Sequence, residues 1–340
     1  MPSPPLALQD QRFLDQIHSR ACPTCFLCDT PGVLLHGGVN DSLFGAPGTW
    51  NFKRCPNPDC GLMWLDPMPV EEDIRYAYSS YYTHHQEPRP GPRKGLAEFV
   101  ERILCEIHNL ALQATPIPRE RERLNLMFVG DLPPGRLLDV GCGNGNRLVR
   151  FRELGWNAEG QEVDPGAAAE ARRISGVPVH LGPLEELGFP DASFDAITMS
   201  HVIEHVYDPV ILLQECRRIL KERGILVITT PNAESYGHDR FGASWRGLEP
   251  PRHLHLFSQD TLLQTAVRAG FVKCDTWTTA VNASGYVLGS YQNEAASLGQ
   301  KRRVANLQPR IMAAVYQFRM SMAHRRYPHS GEECILKAAR

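Results

Sequence analysis

The sequence predicts an α/β protein: an open, Rossmann-like, mostly parallel sheet preceded by a small cysteine-bearing module. Three observations carry this. From about residue 134 onward, short apolar runs alternate with segments of helical periodicity, the pattern of strands joined by crossover helices. One junction, Arg136-Leu-Leu-Asp-Val-Gly-Cys-Gly-Asn-Gly-Asn-Arg147, breaks a strand-like run at Gly141, Gly143 and Gly145. Apolar residues then resume at helical spacing with Leu148, Phe151 and Leu154. Five of the ten cysteines crowd between Cys22 and Cys60, well before that core begins.

The glycine junction is the most informative stretch. A strand, a tight turn and a helix start put backbone N–H groups and a positive helix end at the mouth of a sheet, where open α/β sheets bind ligands. The spacing is Gly-x-Gly-x-Gly, not the Gly-x-Gly-x-x-Gly of dinucleotide-binding turns. Asp139, two residues before the first glycine, would repel a pyrophosphate but suits a ligand carrying positive charge. S-adenosylmethionine (SAM) has a sulfonium, an ammonium and no phosphate. At these residues the chain resembles the class I SAM-dependent methyltransferases, whose first motif is an acid followed by alternating glycines. The resemblance implies a seven-stranded methyltransferase sheet with an antiparallel last strand, and a donor site at Asp139, Gly141, Cys142, Gly143 and Gly145. In the next strand-like run, Ala158 to Asp164, Glu162 is assigned to the ribose hydroxyls. Asp164-Pro165 reads instead as a helix N-cap and first turn.

The totals narrow the class. At 340 residues the chain has room for one large domain and one small one. A net charge of −2 and a pI near 6.7 exert no global pull on nucleic acid or anionic membranes. No apolar run approaches the roughly 20 residues that span a bilayer. The start, Met1-Pro-Ser-Pro-Pro-Leu6, lacks the basic and apolar regions of a signal peptide, so the expected compartment is the cytoplasm.

Clustered cysteines without an export signal favour metal over disulfides. Two close groups separated by 26 residues, Cys22/Cys25/Cys28 and Cys55/Cys60, can bring four thiolates to a tetrahedral Zn²⁺. Pro56 and Gly61 suit the tight knuckle of the second pair. Cys25, Cys28, Cys55 and Cys60 are the expected ligands, because Asp29-Thr-Pro-Gly32 continues as a turn; Cys22 is a spare or an alternative ligand. Val33 to Leu35 and Trp50 to Arg54 read as ribbon strands, and a closed four-cysteine site would be structural. Beyond it, Cys60-Gly-Leu, Asp66-Pro-Met-Pro69 and the cluster Tyr76, Tyr78, Tyr81, Tyr82, Thr83, His84 resemble the front end of bacterial methyltransferases with an N-terminal zinc ribbon. Several of those belong to gene neighbourhoods making surface polysaccharide or glycan-like products.

The expected organisation is an arm over 1–20 with a short amphipathic segment at Phe13, Leu14 and Ile17, a ribbon over 21–66, and a linker and helical segment over 67–130. The last contains Pro-rich 87–94 and a helix facing inward through Leu96, Phe99, Val100, Ile103, Leu104 and Ile107. The methyltransferase domain follows over 131–340. In it a helix over 166–175 and a strand over 177–181 lead to Leu184 and Glu185, which by resemblance flank the adenine. The strand 193–200 delivers Ser200 and His201 to the donor crevice, with Glu204 and His205 just beyond. Asp208-Pro209 caps a helix that carries Leu212, Leu213, Cys216 and Leu220 and stops at Gly224, and Ile225 to Thr230 form the fifth strand. Ser258 caps a helix reaching Gly270; strands over 271–278 and 333–338 close the sheet. Between them, residues 280–331 form a basic helical insert with Arg302, Arg303, Arg310, Arg319, Arg325 and Arg326, a substrate cover or an oligomer contact.

The loop Trp245-Arg-Gly-Leu-Glu-Pro-Pro-Arg-His-Leu-His-Leu-Phe257 gathers rings, an acid and cations at the acceptor side. If the acceptor is a hydroxyl, a histidine near its ordinary pKa suits general-base work; the candidates in order are His253, His205, His255 and His201. The expected acceptor is a small or medium-sized metabolite, most plausibly a sugar or glycan precursor. An RNA methyltransferase is a competitor, disfavoured because 21–66 is not Lys/Arg-rich. A non-catalytic SAM-binding scaffold is a second, and a nicotinamide-dependent oxidoreductase, disfavoured by the glycine spacing, a third.

Overall fold

The computed structural model of the protein describes residues 17–78, 113, 115–299, 307–324 and 326–340. The expectations for Phe13, Leu14, Tyr81, Tyr82, the stretch 87–94, the helix 96–107, Arg302, Arg303, Arg325 and the Arg310 side chain fall outside what is described.

The N-terminal part is antiparallel. Strands β1 (Ser19–Arg20), β2 (Val33–Val39), β3 (Trp50–Arg54), β4 (Met63–Leu65) and β5 (Met68–Pro69) make a β2-β3-β4 meander, with β1 pairing β5. In β3, buried Trp50 and Phe52 alternate with half-buried Asn51 and Lys53, the two-residue period of a strand with one face packed. A fourth strand on this sheet comes from far along the chain: His255 lies opposite Trp64 and Leu256 opposite Met63. The ribbon is thereby stitched to the loop that carries His253.

The main sheet begins after α1 (Ile117–Asn125), with β6 (Arg136–Val140), α2 (Asn146–Glu153), β7 (Asn157–Glu162), α3 (Pro165–Ser175) and β8 (Val179–Leu181). Then come β9 (Phe194–Ser200), α4 (Pro209–Ile219), β10 (Leu220–Pro231), α5 (Tyr236–Phe241), β11 (His255–Leu256) and α6 (Gln259–Arg268). The chain finishes with β12 (Lys273–Thr279), helices α7 (Ala283–Ser297) and α8 (Leu307–His324) of the insert, and β13 (Glu333–Ala339). The seven strands lie in the order β12-β13-β10-β9-β6-β7-β8. All are parallel except β13, which runs antiparallel to both neighbours. Residues 137–140 of β6 are all buried, as a strand covered on both faces requires. The order reverses between β6 and β9, and a crevice opens there at the strands' carboxyl ends.

The caps fall where side chains can satisfy free N–H groups. Asp164 Oδ1 accepts from the Ala167 N–H, Asp208 Oδ1 accepts from Val210 and Ile211, and Ser258 forms a capping box with Thr261. Some boundaries differ from expectation. The helix carrying Leu212 and Cys216 ends at Ile219, not at Gly224, because Leu220 already pairs with Phe194 in the sheet and the ladder is irregular until Ile225. The β12 strand likewise starts at Lys273, two residues later than expected, with Phe271 buried just ahead of it.

Ribbon and main domain also meet through two imidazoles. His36 Nε2 on β2 is 2.8 Å from His238 Nε2 on α5, and the His238 ring stacks on Trp245. His238 Nδ1 lies 2.6 Å from the Ala233 carbonyl, so a single proton bridges the two Nε2 atoms. Burial, then the neighbouring ring, lowers His36 to about 4 from an ordinary 6.5. A folded-state pKa below the unfolded value stabilises above pH 6.5 and is lost as pH falls toward 4. The urea midpoint should therefore drop across that window, and His36→Gln should make the drop shallower; an identical pH profile in the variant would contradict this.

Candidate active site

The three glycines of the β6–α2 turn all have positive φ (Gly141 64°, Gly143 55°, Gly145 78°), each for its own reason. A Cβ on Gly141 would sit 2.3 Å from Val202 Cγ2, and one on Gly145 would meet the Ala171 backbone of α3 at 2.8 Å. A Cβ on Gly143 would meet nothing within 4 Å; it would stand in the open crevice. The turn is fastened to β7 by side chains. Gly141 N–H donates to Gln161 Oε1 (3.0 Å) and Gly143 N–H to Glu162 Oε2 (2.8 Å). The other Glu162 oxygen accepts from the Val163 and Asp164 N–H groups.

The expected donor residues divide. Gly141, Gly143, Glu162, Leu184, Glu185 and His201 line a crevice of about 1820 Å³. Asp139, Cys142, Gly145 and Ser200 do not line it. Asp139 is 1% exposed and works from behind the turn: Thr198 Oγ1 donates to its Oδ1 at 2.7 Å and Arg147 stands 3.7 Å away. Its Oδ2 is buried without a hydrogen-bond partner among the described residues, and burial raises its pKa. Ser200 Oγ accepts from Arg147 and Thr229, which ties the ends of β9 and β10 to the start of α2. Gln161, which anchors Gly141 and lines the crevice, was missed; its place beside Glu162 at the end of β7 was the available signal.

Beyond the glycine turn, His201 (φ 55°) lies between two carboxylates, Nδ1 3.2 Å from Glu204 and Nε2 3.0 Å from Glu333. Burial opposes its charge, but the two acids prevail and lift it to about 10. Burial likewise works against the Glu204 charge, and His201 prevails in holding that carboxyl near 2. An imidazolium already bonded at both nitrogens is a poor base, so His201 belongs to the positioning network, where Asn282 also donates to Glu333. His205 Nδ1 is 2.9 Å from the Arg252 carbonyl and 3.1 Å from the Tyr78 hydroxyl. His253 Nδ1 is 2.7 Å from the Gly247 carbonyl, and its ring packs edge-on against His205 with centroids 4.7 Å apart. Burial lowers both pKa values and keeps both rings neutral. Both line the crevice.

His255 faces elsewhere. It sits on the ribbon sheet with its ring edge against Phe26 and its Nε2 3.5 Å from the Tyr207 carbonyl, outside the crevice. The change of backbone explains this: His253 lies on the loop, whereas His255, two residues on, has joined the ribbon sheet opposite Trp64.

Arg252 holds the loop in place. Its side chain is fully buried, donating to Asp41 (2.8 Å), to Glu249 (3.0 Å) and to the Ala77 carbonyl (2.7 Å), with the Phe44 ring 4.7 Å below. One guanidinium thus joins the ribbon, the Ile74–Tyr78 turn and the histidine loop. Among the described residues of the insert, those lining the crevice are Val281, Asn282, Ser284, Gly285 and Tyr286, at and just before the start of α7. Arg319 and Arg326 are exposed and do not line it.

A family model described as a methyltransferase domain matches residues 97–275, more than half of the chain. This chain belongs to the methyltransferase domain family. It is 31% identical over 151 residues to a ubiquinone biosynthesis O-methyltransferase of Cereibacter sphaeroides, covering 41% of this chain and 61% of the relative. It is 30% identical over 146 residues to a malonyl-[acyl-carrier protein] O-methyltransferase of Serratia marcescens, covering 42% and 56%. The chain spans about half the length of the curated relatives it matches. A solved SAM-dependent methyltransferase of Thermotoga maritima aligns with TM-score 0.43 and 20% identity, over 72% of this chain and 99% of that one.

In this chain four cysteines converge apart from the crevice. Cys25 Sγ is 3.6 Å from Cys60 Sγ, Cys28 Sγ is 3.4 Å from Cys55 Sγ, and all four lie within 4.8 Å of one another. Tetrahedral Zn²⁺ with Zn–S near 2.3 Å spaces its sulfurs by about 3.8 Å, so the donor set and its spacing fit that ion. Asp29 (φ 57°) and Gly61 (φ 72°) supply the left-handed turns of the two knuckles. Cys22 is not in the group; its N–H donates to Asp66 and its carbonyl accepts from Trp64 Nε1. Elemental analysis should find one zinc per chain. Cys28→Ser and Cys60→Ser should release it and destabilise the N-terminal part, whereas Cys22→Ser keeps it. Zinc lost from Cys22→Ser and retained in Cys28→Ser would contradict the ligand set.

Proposed function

We propose that the protein transfers a methyl group from SAM to an oxygen of a small or medium-sized metabolite, a sugar or glycan precursor in preference. The single observation carrying this is the two-sided crevice: an open main-chain surface at Gly143 and a neutral histidine pair face one space. SAM supplies an activated methyl on a positively charged sulfur. On its side of the crevice, Gly141 and Gly143 offer bare backbone, Glu162, fixed by the Gly143, Val163 and Asp164 N–H groups, is assigned to the ribose hydroxyls, and Leu184 and Glu185 to the adenine. Asp139, behind the turn, adds negative potential beside a cationic ligand.

The acceptor side belongs to this chain's own groups. Tyr76, Tyr78, Tyr207 and Tyr286 offer rings on which a sugar can stack, while Arg246 and Arg75 are cations within reach of a phosphate or carboxylate. Glu204, His205 and His253 are the group placed to activate an acceptor hydroxyl, because both rings are neutral and held at Nδ1. The two relatives named above are O-methyltransferases by name, which supports an oxygen acceptor. The role in the cytoplasm and the division into ribbon and methyltransferase domain belong to the same proposal. Incubation with SAM and a panel of sugar nucleotides and sugar phosphates should give a product heavier by one methyl on oxygen. Methylation of ribosomal or transfer RNA with no activity on the panel would replace this reading.

Alignment by a rigid crevice is the main source of rate in such a transfer. Gly143→Val puts a branched side chain into the donor space and forces it into positive φ. SAM binding should be lost while the chain stays folded; a variant that binds SAM normally would remove this turn from the donor site.

A further inference from the structure

The geometry points to a divalent transition-metal site built from Glu204, His205 and His253, opening on the acceptor side of the crevice and separate from the four-cysteine group. One donor atom from each of these three residues lies within 4.8 Å of the other two. The arrangement is two imidazoles and one carboxylate, a donor set that suits Zn²⁺, Co²⁺ or Fe²⁺ and leaves coordination positions open.

The surrounding bonds hold the three groups as ligands are held. His205 Nδ1 and His253 Nδ1 are each directed at a backbone carbonyl, of Arg252 (2.9 Å) and Gly247 (2.7 Å). A carbonyl can only accept, so both rings carry their proton at Nδ1 and present the lone pair of Nε2. This is the tautomer that outer partners impose on metal-binding histidines. Glu204 is fully buried, and its carboxylate is oriented in turn by the Thr230 hydroxyl (3.0 Å) and by His201 Nδ1 (3.2 Å). His253 Nε2 stands 4.0 Å from Glu249, beyond hydrogen-bond reach. The two rings also come from elements that the chain has no local reason to bring together. His205 ends the turn after β9, and His253 lies on the loop pinned by Arg252. Resting on the methyl-transfer reading, the ion's open positions would take the acceptor's oxygen, which selects acceptors able to chelate, such as vicinal diols or hydroxy acids.

The test is a titration of the zinc-loaded full-length protein with Co²⁺, read by absorption. One further Co²⁺ per chain should bind with d–d bands of nitrogen and oxygen ligation and no thiolate charge-transfer band. Glu204→Gln and His205→Gln should each weaken it at least ten-fold while SAM binding persists. If either substitution unfolds the chain, Thr230→Val takes its place, with affinity expected to fall by about 10–100-fold. Absence of the bands in the unmutated protein, or equal affinity in the folded variants, overturns the site. Methyl transfer undiminished by chelation would also overturn it, while leaving the methyltransferase reading intact.

Discussion

His253→Ala should lower turnover by about 10²–10⁴ with SAM affinity unchanged, the range expected when a group that activates the nucleophile is removed. The ring is 5% exposed, lines the crevice, is held at Nδ1 by Gly247 and packs on His205. Gly247 and His205, which hold it, are not expected donor residues, so its loss should appear in kcat and spare the donor. His255→Ala is the matched control. Its ring lies against Phe26 outside the crevice, and its removal should cost stability and leave kcat within a few-fold. Normal turnover of His253→Ala on the true acceptor would remove this residue from the chemistry.

Arg252→Ala should destabilise the fold by about 3–5 kcal/mol, the cost of breaking a buried ion pair by deleting one partner. Asp41 and Glu249 are 8% and 6% exposed, and the substitution strands both carboxylates there. Asp41 still accepts N–H bonds from Leu43, Phe44 and Ala46, and Glu249 keeps Arg246, so the loss stays below that of two bare charges. Such a change is a large fraction of a typical domain's stability. Urea unfolding should show it as a lower midpoint. Because the same guanidinium joins the ribbon to the histidine loop, turnover should fall as well. A midpoint within about 1 kcal/mol of the unmutated protein would contradict the role given to this residue.

The parts that the chain declares locally were legible. Alternating apolar runs mark the strands, Asp164-Pro165 and Asp208-Pro209 mark helix starts, and Gly141, Gly143 and Gly145 mark the tight turn between β6 and α2, because each depends on neighbours within a few residues. What failed depends on residues far away. Nothing near His201 announces that Glu333, 132 positions on, turns it into an imidazolium. Nothing near Arg252 announces Asp41, and the outward turn of His255 follows from its pairing with Trp64. Asp139 stands behind the turn and not in the crevice lining because Thr198 on the adjacent strand holds its carboxylate. Gly224 looked like a helix stop because glycine usually is one, but the parallel ladder with Phe194 captured Leu220 first. The cysteine spacing left Cys22 as an alternative ligand, and the bonds that Asp66 and Trp64 make to the Cys22 backbone place it outside the four-sulfur group.

Calorimetric titration tests the donor crevice most directly. The purified protein should bind SAM and S-adenosylhomocysteine at micromolar affinity, one per chain, and give no heat with nicotinamide dinucleotides. Binding of a nicotinamide dinucleotide with no response to SAM would contradict it.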